Sequence, residues 1–121
     1  MTVEISVLAD LGVLEVAYSA DDVTAEDLVA QREQVSDAIA RSGLEKVLID
    51  ASALARFPSV VTIFEHNAVI STERTLREAR FAVVCDALGE NERFLETTGV
   101  NRGVQIKCFT SEEAALSWLG V

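Results

Sequence analysis

Asp50 and Asp86 are the carboxylates whose positions in this 121-residue chain best suit chemistry. Each closes an apolar run, Val47-Leu48-Ile49 before Asp50 and Phe81-Ala82-Val83-Val84-Cys85 before Asp86, and in open α/β sheets ligands gather beyond the carboxyl ends of the strands. Two carboxylates on one such rim could hold a ligand or a partner. Strand-end aspartates also cap the turn that follows them, and that ordinary role stays open for both. Ser52, Ser59 and Asn91 fall in the same predicted loops, and Phe57 stands in a loop where a large apolar side chain is unexpected. The candidate rim is therefore Asp50, Ser52, Phe57, Ser59 and Asp86.

Other chemistry finds little support. His66 is the single histidine and follows Glu65 on a predicted helix, with no His-x-x-x-His or Cys-x-x-Cys spacing in the chain, so no metal is expected. It reads as a helix-surface or boundary histidine. Ser59 or Ser71 with His66 would be the only serine–histidine pairing, and no nucleophile-elbow motif frames either serine. The six glycines match neither a P-loop nor a dinucleotide fingerprint, so no cofactor is expected. An enzyme would have only Asp50, Asp86 and His66 as acids or bases, without a recognisable spacing. Cys85 and Cys108 lie within apolar runs and read as small core residues rather than a disulfide or a redox pair. Trp118 reads as a core residue of the last helix.

The elements that must position these groups follow from periodicity. Val3, Ile5 and Val7 alternate with Glu4 and Ser6, so residues 2–8 form a strand with one wet face. Ala9-Asp10-Leu11-Gly12 turns it into a second strand over residues 12–18, giving an antiparallel hairpin. Thr24 with Asp27 predicts a capping box, with Asp21-Asp22 also suiting the positive end of the helix dipole. That helix runs to about Ser42 on a stripe of Ala25, Leu28, Val35 and Ile39, with Gln31, Glu33, Gln34 and Asp37 elsewhere, and Gly43 stops it. Residues 46–51 and 81–85 read as buried parallel strands. Between them Ser59 caps a helix reaching roughly Leu76. A third helix spans 90–98 and ends at Gly99; Val104, Ile106 and Cys108 then alternate as an edge strand, and Ser111 caps a last helix. The expected architecture is α/β: one domain over residues 1–121, an N-terminal antiparallel hairpin, then βα repeats with right-handed crossovers, giving a mainly parallel five-stranded sheet with about four helices. An exposed first or last strand would suit a homodimer.

Charge narrows the partners. The net charge of -10 and a pI near 4.4 argue against nucleic acid and anionic membrane surfaces. No apolar run approaches the ~20 residues of a membrane span, and Met1-Thr2-Val3-Glu4 has none of the features of a secretory signal. The expected location is cytoplasmic.

The order of elements resembles the SpoIIAA-like superfamily, which holds the anti-sigma-factor antagonists and the STAS domains. Val47-Leu48-Ile49-Asp50-Ala51-Ser52 is similar to that family's hydrophobic strand ending in Asp-x-Ser, and the stretch from Phe109 to Leu119 resembles its closing strand and helix. The resemblance implies a non-catalytic, regulatory protein-interaction module that docks a partner protein through the rim after the third strand. It also places Ser59 near the antagonists' phosphorylated serine, although Phe57-Pro58-Ser59-Val60 stands where they have an Asp-Ser-Ser-Gly-like turn. Some SpoIIAA-like proteins look similar to lipid-carrier folds. Val60, Val61, Ile63 and Phe64 make the second helix apolar enough to line a pocket, so a small apolar ligand is the alternative.

Overall fold

Alternation in the first eighteen residues builds a hairpin. In the computed structural model, which describes residues 3–18, 23–54 and 56–121, β1 (Val3–Leu8) and β2 (Val13–Tyr18) pair antiparallel with Leu8 opposite Val13. The turn closes through Leu11 N and Gly12 N, which donate to Leu8 O at 3.0 and 2.9 Å. Gly12 takes φ +67° there, a conformation that a side chain would strain. Thr2 and the Asp21-Asp22 pair lie outside the described residues.

From β2 onward the chain alternates helix and strand. The elements are α1 (Ala25–Ser42), β3 (Lys46–Asp50), α2 (Val60–Thr72), α3 (Arg74–Arg77), β4 (Arg80–Val84), α4 (Glu90–Asn101), β5 (Gln105–Phe109) and α5 (Glu112–Leu119). One sheet in the order β1-β2-β3-β4-β5 results, with every pair after the hairpin parallel. The capping box on α1 is present, Thr24 Oγ1 accepting from Asp27 N and Asp27 Oδ2 from Thr24 N, and Gly43 ends the helix at φ +74°.

Two helix boundaries differ from expectation. The second helix breaks at Glu73, whose backbone is extended and whose carboxylate accepts from Leu76 N at 2.9 Å. Just before the break, the hydroxyls of Ser71 and Thr72 donate to the carbonyls of Ala68 and Val69, a local bond that competes with continued helix. The described residues therefore contain five helices where about four were expected. The fourth helix runs through Gly99 to Asn101 because Gly99 stays helical and packs against Ile106; the left-handed stop is Gly103 instead, at φ +81°.

Pleating divides the core into two layers. Leu14, Val16, Val47, Ile49, Phe81, Val83, Ile106 and Cys108 join the larger cluster with residues of α1 to α4, whereas Val13, Leu48, Ala82 and Val84 pack with Ala115 and Leu119 of α5. Strands covered on both faces have apolar residues at successive positions, which is why β3 and β4 read as continuous runs. Trp118, expected in the core, is half-buried at the margin of the α5 layer. Arg80 lies 4.4 Å from its ring centroid and donates through Nη2 to its carbonyl. No described helix is long and apolar enough to cross a membrane.

Cys85 and Cys108 are free and buried. The Cys108 thiol, hydrogen-bonded with Cys85 and desolvated, is held well above the ordinary thiol range, and only the thiolate is a good nucleophile. In native protein both thiols should resist a disulfide reagent such as DTNB at mildly alkaline pH, and two equivalents should react once denaturant is added. A rapidly labelled thiol in the native protein would contradict this packing.

Candidate functional site

The carboxyl ends of the strands meet two separate recesses, one on each face of the sheet. Adjacent residues of a strand point to opposite faces, so Asp50 shares the α5 side with Leu48, while Ile49 faces the larger helical layer. On the α5 side, Asp50, Ser52 and Asp86 line one polar recess of about 280 Å3 with Thr110 and Glu112. Asp50 Oδ1 accepts from Ser52 N at 3.1 Å and from Ser52 Oγ at 2.5 Å, so much of its hydrogen-bonding capacity is spent on its own turn. Glu15 on β2 belongs to the same electrostatic neighbourhood. Burial, then the charges of Glu112 and Asp50, raise its carboxyl above the usual range. No basic side chain lines this recess, so it repels anions. Among the described residues no three His, Cys, Asp or Glu side chains come together to hold a metal ion.

Phe57 goes to the other face. It is half-buried against the larger core and lines, with Pro58, Tyr18, Leu28, Gln31 and His66, an almost wholly apolar cavity of about 50 Å3. The loop is pinned there by Asn91 Nδ2, which donates to Pro58 O at 3.1 Å. Ser59 lines neither recess. Its Oγ accepts from Thr62 N at 3.3 Å and caps α2, leaving the residue exposed at the head of that helix. The structure thus brings Asp50, Ser52 and Asp86 together and sets Phe57 and Ser59 apart from them.

On α2 the expected pocket wall is mostly turned outward. Ile63, His66, Asn67 and Ile70 recur at three- and four-residue spacing and form the buried stripe. Val60, Val61, Phe64 and Val69 are 45, 64, 47 and 43% exposed. Of the four residues expected to line a pocket, only Ile63 faces inward. Val100 on α4 is exposed as well, and Arg102 lies over the Phe64 ring, 4.8 Å from its centroid.

His66 is not a surface or boundary residue. It is buried, its Nδ1 lies 2.8 Å from Arg32 Nη1, and burial followed by the Arg32 charge lowers its pKa to about 3. The ring is neutral at neutral pH. It lies on the helical side of the sheet, while the Asp50 and Asp86 recess lies on the α5 side, so the three candidate acids and bases do not converge. Gln31, off the expected α1 stripe, is also buried, and Asn67 is fully enclosed with its Nδ2 donating to Leu95 O and Thr98 Oγ1. Helical period was the available signal: Gln31 falls three residues after Leu28 and four before Val35, and His66 and Asn67 sit between Ile63 and Ile70.

Comparisons of this chain with protein-family models, with curated proteins and with solved structures find no match.

Proposed function

We propose that the chain is a non-catalytic docking module of the SpoIIAA-like kind that presents the outward face of α2 to a partner protein. The observation that carries this reading is that α2 is apolar on both sides, with Ile63 and Ile70 packed inward and Val60, Val61, Phe64 and Val69 exposed. A helix that only covers a sheet needs a single apolar stripe. Neighbouring exposed apolar side chains mark interaction sites, and aromatic residues are enriched at the centres of such sites. The face begins directly after Ser59, a member of the candidate rim, and the order of strands and helices along the chain is the one on which the resemblance rests.

The partner has an apolar patch rimmed by lysine or arginine, because a chain of net charge -10 steers and retains positive surfaces. Phosphorylation of Ser59 would add negative charge at the head of this face and change which partner it admits. A cytoplasmic setting goes with the reading, and two unpaired cysteines are ordinary there.

The test is to capture the partner from an extract of the source cells, identify it, and measure its affinity for purified wild type, Val61→Glu and Phe64→Glu. Each variant should bind at least about 10-fold more weakly, at an unchanged melting temperature because both side chains are exposed. Equal affinity for wild type and both variants would remove the proposal.

A further inference from the structure

The cavity beneath Phe57 and Pro58 has a chemistry that does not depend on the docking reading. Among the described lining residues only Tyr18, Gln31 and His66 carry polar side-chain atoms, and a second void of about 20 Å3 shares Gln31 and His66. Gln31 is 4% exposed, and its Oε1 is buried with no hydrogen-bond partner among the described residues. A buried carbonyl without a protein partner needs another donor to replace its lost hydration. Beside it, the tautomer of His66 is fixed by its neighbour. Arg32 has only N–H groups to offer, so Nδ1 of His66 accepts from Arg32 Nη1 at 2.8 Å and the ring proton resides on Nε2. Gln31 and His66 therefore bring one unpaired acceptor and one N–H donor to a cavity whose other polar lining group among the described residues is the Tyr18 hydroxyl.

We infer that this cavity is a binding site for a short neutral alcohol, whose hydroxyl donates to Gln31 Oε1 and accepts from His66 Nε2–H while its alkyl chain lies against Leu28, Leu54, Phe57 and Ile63. One hydroxyl oxygen satisfies both groups. A carboxylate would meet the Gln31 carbonyl among mostly apolar walls, and an ammonium would offer the His66 N–H nothing to bond. Size sets the rest: a cavity of about 150 Å3 holds benzene, so 50 Å3 takes the hydroxyl and the first carbons of a slender chain. The remaining carbons would reach solvent past the half-buried lining residues Val23, Leu54, Phe57 and Pro58. Arg32 is a positioning residue, acting through the tautomer of His66. Sequence periodicity placed neither Gln31 nor His66 in a site.

The probe is n-butanol, with n-butyl chloride as a partner of similar shape that has no hydroxyl, added to the purified full chain and followed by NMR. For n-butanol, saturable shifts are expected at Gln31, Ile63 and His66 with a dissociation constant of about 1 mM, and at least about 10-fold weaker binding for the chloride. Gln31→Leu should weaken n-butanol at least about 10-fold and leave the chloride unchanged. Gln31→Met serves the same purpose if the leucine variant does not fold. The inference is overturned if n-butanol shifts do not saturate, if alcohol and chloride bind equally, if the Gln31 variants bind n-butanol as wild type does, or if an ordered water stays on Gln31 in the presence of the alcohol.

Discussion

Lowering the pH from about 7.5 to about 5 is expected to remove about 2 kcal/mol of folding stability through His66 alone. Its pKa is lowered from 6.5 to about 3 in the folded protein, by burial first and by the Arg32 charge second. A folded-state pKa below the unfolded one means that the unfolded chain binds the proton more readily. The stability is thus fully present above pH 6.5 and is lost as the pH falls from 6.5 toward 3. Each pH unit inside that window costs about 1.4 kcal/mol. Two other shifted carboxyls are common to wild type and any His66 variant. Glu15, raised by burial and then by Glu112 and Asp50, is penalised as the pH rises and relieved in acid; Asp27, lowered mainly by its bonds from Thr24, loses its contribution only below the usual carboxylate range. Denaturant melts of wild type and His66→Gln across this range separate the histidine from both, since the difference between the two proteins should carry the slope between pH 6.5 and 5. An NMR titration in which the His66 ring protonates near pH 6.5 would contradict the burial.

Gly99→Ala should lower stability by about 1–3 kcal/mol, a fall in melting temperature of about 5–10 °C. The sign is informative, because alanine in an open helix would add about 1 kcal/mol. Gly99 is buried on the inner face of α4, and a Cβ there would sit 2.4 Å from Ile106 Cγ2 and 3.6 Å from the Asn67 side-chain amide. Ile106 is β-branched and enclosed in β5, so its methyl has little freedom to yield. Removing that methyl should remove the penalty. Ile106→Ala, costly by itself, should therefore be less than additive with Gly99→Ala by at least about 1 kcal/mol. A thermal melt in which Gly99→Ala matches or exceeds wild type would show that α4 and β5 lie farther apart.

Much of the fold was legible because its signals are local. The alternation of Val3, Ile5 and Val7, the Thr24–Asp27 capping box, Gly43, and the apolar runs before Asp50 and Asp86 each act within a few residues. The break at Glu73 was not, since it depends on Ser71 and Thr72 turning their hydroxyls onto the helix and on Glu73 capping the next turn. Gln31 and His66 were missed for a related reason. A polar residue on an apolar stripe reads as an interruption until a second element is seen to cover it, and here α1 and α2 cover one another's polar groups through Arg32 and His66.

The rim was half legible. Strand ends placed Asp50, Ser52 and Asp86 in one recess, but the pleat puts that recess on the α5 face, while the chain leaves Ser52 for α2 on the opposite face and carries Phe57 with it. Nothing local to Phe57 reveals that crossing. Val60, Val61, Ile63 and Phe64 read as a pocket wall because the stripe through Ile63 and Ile70 could be assigned inward only once the sheet was in place, which leaves Val60, Val61 and Phe64, with Val69, as the outward apolar face.

Amide hydrogen exchange on the purified chain, with and without the captured partner, tests the docking account most directly because it reports where along the chain protection arises. Slowed exchange concentrated in residues 60–72, strongest over the first two turns after Ser59, is the predicted result. Unchanged exchange across that helix, with protection appearing instead around 50–52, 86 and 110–112, would contradict it.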